Sequence, residues 1–300
     1  MPSSELCVNV EGLTKKFGDF TAVDSVNFQI PRGSIFGFLG PNGAGKSTVI
    51  RMLLGIIPPT LGQGSVLGCD IRTQAEEIRA RVGYMAQKFS LYEDLTVREN
   101  LNFFAGLFGS KRIEETIEVA RLGDYVNQLA RHLPGGVRQR LALGVALVHD
   151  PELIFLDEPT GAVDPALRRY FWERIVEMAR SGKTVMVTSH YMDEVERCDT
   201  ICFIHSGKLI ARGSPGELKR NTLKDDMWSL RVDDRHRALT ALATIPGVGI
   251  PFPSGTSIRF TYGGERERLV EALWQHSLPE PRPAAPNLED VFVSLTEEGA

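Results

Sequence analysis

Apolar positions recur with two different periods along this chain, and their succession predicts an α/β fold. Val26, Phe28 and Ile30 alternate with Asn27 and Gln29 as a half-buried strand requires, and Leu6 to Val10 reads as a strand before it. Between them Thr14 to Gly18 reads as a polar turn carrying one ring, Phe17, which on its own pattern is a packing residue sooner than a binding platform. Pro31-Arg32-Gly33 turns the chain into Ser34 to Leu39, a short apolar run suited to a buried strand. Val49, Met52 and Leu53 then recur at helical spacing until Gly55 closes the helix.

Further on, Pro58, Pro59, Gly62 and Gly64 mark turns ahead of a strand-like Ser65 to Leu67, and Arg81 to Gln87 ends another apolar segment. Phe89 to Phe108 is rich in aromatic residues, and Ile113, Ile117 and Ala120 continue at helical spacing, so a helical subdomain is expected over about 89–150. Without further context the aromatic stretch reads as helical core sooner than as a docking surface. Leu153 to Leu156 and Thr184 to Thr188 are continuous apolar or β-branched runs, the mark of parallel strands buried on both faces. Leu167, Phe171, Ile175 and Met178 form the helix stripe between them.

Thr200 to His205 and Lys208 to Arg212 form a hairpin through Ser206-Gly207, and Ser214 to Glu217 has the spacing of a capping box. After Arg220 the alternation stops, so one domain is expected over 1–222 and a small α+β accessory domain, ferredoxin-like in outline, over 223–300. There Trp228, Leu230 and Val232 alternate, as do Ile258, Phe260 and Tyr262, and Leu269, Val270, Leu273 and Trp274 make a helix stripe. Leu288 to Leu295 reads as a final helix, and no internal repeat is seen.

At 300 residues the chain has room for a sizeable core, and its net charge of −4 leaves no basic footprint for nucleic acid. The longest apolar run, Leu141 to Val148, is far too short to span a bilayer, and residues 1–12 lack the charged head and apolar stretch of a signal peptide. A cytoplasmic protein is expected. Its four scattered cysteines lack metal or redox spacing and read as reduced and structural.

The chemistry is concentrated in Gly40, Pro41, Asn42, Gly43, Ala44, Gly45, Lys46, Ser47 and Thr48, placed between a strand and a helix. Glycines let successive backbone N–H groups approach a polyphosphate, Lys46 adds a point charge, Ser47 offers an oxygen to Mg²⁺, and the helix points its positive end at the anion. A nucleotide is the implied ligand. Leu153 to Leu156 delivers Asp157 and Glu158 to the carboxyl end of a strand, the edge at which ligands sit in α/β sheets, and the next strand delivers Ser189 and His190 there. Leu133-Pro134-Gly135-Gly136-Val137 reads as a helix start whose glycines leave backbone donors open.

Taken in order, Gly40 to Thr48, Gln87, Leu133 to Val137, Leu153 to Glu158, Asp164 and His190 resemble the motif set of ATP-binding cassette (ABC) proteins over residues 5 to about 220. Cys198-Asp199 and Leu288 to Phe292 extend the resemblance to ATPase subunits of bacterial drug and antibiotic exporters whose membrane partner is a separate chain. It implies a P-loop NTPase cassette with a mixed sheet and a helical subdomain, ATP and Mg²⁺ as cofactors, and a dimer of cassettes closing on two ATP. It also implies an integral membrane permease as partner, docked on the aromatic stretch after Gln87, and a location on the inner face of the cell membrane. By the same resemblance Phe17 stacks on adenine, Ser47, Asp157 and Gln87 serve the metal, Glu158 polarises water, and His190 holds the γ-phosphate. Gly135, Gly136 and Asp164 complete the nucleotide site.

The sequence departs from the family pattern in its signature. Where the family has Leu-Ser-Gly-Gly-Gln, this chain has Pro134 and Val137 at the serine and glutamine positions. Proline has neither hydroxyl nor N–H, and a lost charge-assisted hydrogen bond of about 1.5–3 kcal/mol weakens closure unless the glycine donors compensate. A composite site working through main chain alone is therefore expected. Two other readings compete: a soluble ABC ATPase acting on ribosomes or DNA, disfavoured by the single cassette, and an ATP-gated scaffold, disfavoured by intact Lys46, Asp157, Glu158 and His190.

Overall fold

The computed structural model describes residues 5–161 and 163–297. The chain divides into two compact units, Met1–Arg212 and Gly213–Ala300.

In the first unit, β1 (Leu6–Phe17) and β2 (Phe20–Pro31) form a long antiparallel hairpin whose last pair is Phe17 with Phe20. Thr14 to Phe17 belong to β1 instead of forming the expected turn. Register shifts around Leu13 and Lys15 break the strict alternation by which a strand is recognised. β3 (Ile35–Leu39) is buried at every residue and runs through the phosphate loop into α1 (Lys46–Leu53). β4 (Leu61–Val66) and β5 (Cys69–Asp70) complete an antiparallel sheet of order β2-β1-β4-β5. α2 (Ala75–Arg81) then leads to β6 (Val82–Met85).

α3 (Val97–Phe108), α4 (Ile113–Val119) and α5 (Gly135–Leu147) occupy the region expected to be helical. Val97, Leu101, Ile117, Leu122, Val137 and Leu141 are among the buried residues that hold them together. α3 starts at a capping box in which Thr96 accepts from the Glu99 N–H and Glu99 accepts from the Thr96 N–H, so its position along the chain is fixed locally. Its aromatic stretch is two-sided: Leu101 and Ala105 are buried, whereas Phe103, Leu107 and Phe108 face solvent, as does Tyr92 ahead of the helix.

β7 (Leu153–Asp157), α6 (Pro165–Arg180), β8 (Thr184–Ser189), β9 (Thr200–His205) and β10 (Lys208–Gly213) finish the unit. The second sheet has the order β10-β9-β3-β8-β7-β6, with β3 parallel to both neighbours and β7 parallel to β6 and β8. Parallel pairing brings the carboxyl ends of β3, β6, β7 and β8 to one edge, which is where the candidate chemistry lies. Between β9 and β10, Ser206 and Gly207 both have positive φ (47° and 79°), as a two-residue type I′ hairpin requires. Cys7, Cys69, Cys198 and Cys202 are free thiols, and burial pushes Cys202 up to about 12, which leaves it protonated and inert as expected.

The second unit begins at Gly213, before residue 222, because α7 (Pro215–Thr222) packs against α10 (Leu288–Glu297) instead of closing the cassette. Between them run β11 (Asp226–Arg231), α8 (Arg235–Leu242), β12 (Phe252–Ser254), β13 (Ser257–Tyr262), α9 (Arg266–Gln275) and β14 (Arg282–Pro283). This βαββαβ succession with sheet order β12-β13-β11-β14, antiparallel throughout, is the ferredoxin-like arrangement. Leu230, Ile258, Phe260, Leu269 and Leu273 fill its core. The Leu288 to Phe292 stretch has a structural role here. Arg259 donates two bonds of 2.7 Å to the fully buried Asp290, whose Oδ2 also accepts from the Asn287 N–H.

Candidate functional site

Gly45, at φ 106°, precedes the first residue of α1 in a left-handed conformation that a side chain rarely adopts, and it turns the loop back over the helix N-terminus. Pro41, Asn42 and Gly43 are exposed, and a Cβ added at Gly43 would meet nothing within 4 Å, so a bulky anion has open access to the loop backbone. Ala44 is buried and Thr48 half-buried. Lys46, the first residue of α1, turns inward with only 4% of its side chain exposed. Its ammonium donates to the carbonyls of Gly40 (2.7 Å) and Pro41 (3.0 Å) and pairs with Glu158 Oε1 at 3.0 Å.

Glu158 gathers the other segments. Its Oε2 accepts from Gln87 Nε2 at 3.0 Å, on the loop after β6, and lies 3.2 Å from His190 Nδ1, just past β8. The residue has φ 49°, a strained backbone for a side chain with a Cβ, and its N–H is fixed by Thr188 Oγ1 at 2.9 Å. Asp157 is the last residue of β7 and 1% exposed; its Oδ1 accepts from Ser47 Oγ at 3.0 Å and Thr188 Oγ1 at 2.8 Å. Burial holds the Asp157 carboxyl above its ordinary range, with the two hydroxyl bonds working the other way. Ser47 and Asp157 thus present hard oxygen donors side by side. A single carboxylate and a hydroxyl, leaving further positions to phosphate and water, is a donor set that fits Mg²⁺. Gln87 supplies one more amide oxygen on the same edge.

Pro134, Gly136, Val137 and Asp164 line an open groove of about 410 Å³ with Tyr125 and Tyr170. Pro134 caps α5 without any side-chain bond, and Val137 is buried among Leu133 and Leu141, so the position where the family pattern has glutamine is a core position in this fold. A Cβ at Gly136 would come within 2.7 Å of Leu167 Cδ2 and push that side-chain tip aside, whereas one at Gly135 meets nothing within 4 Å, so packing places no demand on Gly135. Asp164 is the N-cap of α6, accepting from the N–H groups of Ala166 (2.9 Å) and Leu167 (3.0 Å).

Lys46, Gln87 and His190 therefore meet on Glu158, and Ser47 meets Asp157, the two acids being linked through Thr188, while Gly136 and Asp164 line the groove. Phe17 is not a packing residue: at the β1–β2 tip it is 51% exposed, with the Lys15 ammonium 5.1 Å from its ring centre. Thr188 was not singled out from the sequence, although a hydroxyl at the end of an otherwise apolar parallel strand, directly before Ser189-His190, is the signal that marks it.

Residues 23–161 match the family model described as ABC transporter. The chain is 40% identical over 304 residues to the Nod factor export ATP-binding protein I of Ralstonia nicotianae, covering 96% of this chain and 93% of that one. It is 49% identical over 228 residues to the probable multidrug ABC transporter ATP-binding protein YbhF of Escherichia coli, and spans 39% of that protein's length. Among solved structures it is similar to a dimeric post-hydrolysis state of the ATP-binding cassette MJ0796 bound to ADP and Pi, with TM-score 0.65, 26% identity and coverage of 69% of this chain and 98% of that one. The structure of the ATP binding subunit of an ABC transporter superposes with TM-score 0.67 at 27% identity, covering 72% of this chain and 92% of that one.

Proposed function

The chain belongs to the ABC transporter family, and from that premise we propose that it is the ATP-hydrolysing subunit of an exporter, acting as a pair of cassettes on a separately encoded membrane permease. The observation that carries this reading is the convergence of Lys46, Ser47, Asp157, Gln87, His190 and Glu158 at one sheet edge, next to an accessible glycine loop.

In this reading ATP lies along the loop backbone at the N-terminus of α1, and Phe17 stacks on the base. Lys46 exchanges its contact with Glu158 for β- and γ-phosphate oxygens, so the buried carboxylate is released toward the phosphate. Bound with the nucleotide, Mg²⁺ neutralises phosphate charge; Ser47 and Asp157 hold it, with Gln87 on the same edge. Glu158 then orients and polarises a water for attack on the γ-phosphorus, the β–γ bridging bond breaks, and ADP leaves with the electron pair. His190 holds the γ-phosphate. Positioning and charge neutralisation supply most of the acceleration in such a transfer.

The Gly135 and Gly136 end of α5 in a second copy completes the pocket. Its missing serine and glutamine side chains leave main-chain N–H donors to contact the γ-phosphate. The exposed face of α3 and the apolar groove of about 180 Å³ lined by Leu54, Tyr84, Phe104, Phe108 and His149 are suited to a cytoplasmic segment of the permease. Export is supported by the name of the Ralstonia relative, and among the described residues no helix is long and apolar enough to cross a membrane. Multiple-turnover phosphate release from MgATP by the purified chain tests this; ATP binding without turnover would make the chain a nucleotide-gated scaffold instead.

A further inference from the structure

One buried carboxylate is not used by the steps above. Glu194, five residues past the end of β8, has 2% of its side chain exposed. Its Oε2 accepts from Thr160 Oγ1 at 2.6 Å and Ser189 Oγ at 3.2 Å, and its Oε1 lies 2.9 Å from Arg168 Nε. The Arg168 contact is close enough for an ion pair but is not aligned as a hydrogen bond. Each partner sits beside a different functional element. Thr160 is two residues past Glu158, in a turn closed by a bond from the Gly161 N–H to the Glu158 carbonyl (3.2 Å). Ser189 precedes His190 and its oxygen accepts from the Tyr191 N–H at 2.9 Å. Arg168 lies one turn into α6 from Asp164, its N–H bonded to the Asp164 carbonyl at 2.9 Å, and its guanidinium covers the Tyr191 ring at 4.5 Å.

We propose that Glu194 is a positioning residue for hydrolysis, tying the turn behind Glu158, the segment carrying His190 and the helix capped by Asp164 into one unit. This rests on the reading of the chain as an ATPase. The physical reason is strain. Glu158 holds φ at 49°, and a left-handed non-glycine residue persists only where its surroundings over-determine it. Thr188 fixes it from the amino side, and the Thr160–Glu194 bond, buried and charge-assisted, anchors the turn on the carboxyl side. The Arg168 pair makes the same carboxylate respond to any shift of α6, the helix that presents Asp164 to the groove beside Gly136.

The test uses the full chain with MgATP. Thr160→Val keeps the volume but removes the hydroxyl donor, and Glu194→Gln keeps an acceptor for the hydroxyls while setting an amide donor against Arg168. Each is expected to lower kcat about ten- to a hundredfold, the scale of misplaced reacting groups, with KM for ATP and the affinity for a fluorescent ATP analogue little changed. The double variant is expected to lose little more than the worse single one. A kcat equal to wild type for either variant overturns the proposal, as does a loss fully accounted for by a lower folded fraction in thermal melts. Failure of wild type to turn over ATP overturns the functional reading instead and is seen before any variant is made.

Discussion

The Lys46 ammonium and the Glu158 carboxylate lie 3.0 Å apart, with 4% and 7% of their side chains exposed. In the proposed reaction phosphate takes the place of that carboxylate on the lysine, so nucleotide binding and release of Glu158 toward the water are one exchange. Removing one member of a buried pair typically costs about 3–5 kcal/mol, though Gln87 and His190 still face Glu158. Lys46→Met is therefore expected to melt lower by roughly the bottom of that range and to lose nucleotide binding. Glu158→Gln is expected to bind nucleotide more tightly than wild type, because no anion has to be displaced. Thermal melts and titration with a fluorescent ATP analogue check both.

Asp157 gives a pH signature. Burial raises its folded pKa above the unfolded value of about 3.9, so the fold holds the proton more tightly than the unfolded chain does. Its contribution to stability is full below the unfolded value and is lost as pH rises through the folded one. Asp157→Asn stays neutral and keeps an acceptor for Ser47 and Thr188. Without MgATP its melting temperature is expected to gain on that of wild type as pH rises from about 4, while MgATP turnover falls at least about a hundredfold. A melting difference independent of pH contradicts the assignment.

The glycines of the α5 start separate packing from ligand approach. Gly135→Ala has space for its methyl group and is expected to leave the melting temperature unchanged, while cutting turnover if, as proposed, the phosphate held by a second copy approaches this helix start. Pro134→Ala is expected to stay within about twofold of wild type on the reading that only backbone N–H groups act there, a difference well below that of one lost hydrogen bond. Val137→Gln buries an amide in an apolar cluster and is expected to destabilise by about 1–3 kcal/mol, so restoring the common family residue harms this protein.

Phe17→Ala removes an exposed ring, so stability is expected to hold while ATP affinity falls by about 1–3 kcal/mol, the worth of a base stacked on an aromatic side chain. Phe17→Trp restores it. Equal affinity for the alanine variant, by equilibrium titration, removes Phe17 from the adenine site.

Leu107→Glu changes an exposed position on α3 and is expected to leave basal ATP turnover intact while abolishing any stimulation by the permease in reconstituted vesicles. Undiminished stimulation contradicts docking on that face.

Much of this architecture was legible because its chemistry is local. A loop from Gly40 to Thr48 needs a strand before it and a helix after it, and continuous apolar runs such as Leu153 to Leu156 announce buried strands. What was not legible depends on register and on distant partners. The bulges in β1 hid Thr14 to Phe17 as strand, and the contact between α7 and α10 moved the domain boundary from residue 222 to 212. Phe17 lost its packing role because the hairpin carries it into solvent. Thr188 and Glu194 emerge only once β7, β8 and α6 are adjacent, since no short motif links residues 157, 188 and 194.

The most direct measurement is steady-state phosphate release from MgATP by the full chain, wild type against Glu158→Gln, with mass by light scattering in the same buffer. Multiple turnovers by wild type, and none by a variant that still binds ATP and shifts toward dimer, are the predicted result. Equal rates for the two proteins would contradict the assignment of Glu158 as the group that activates water.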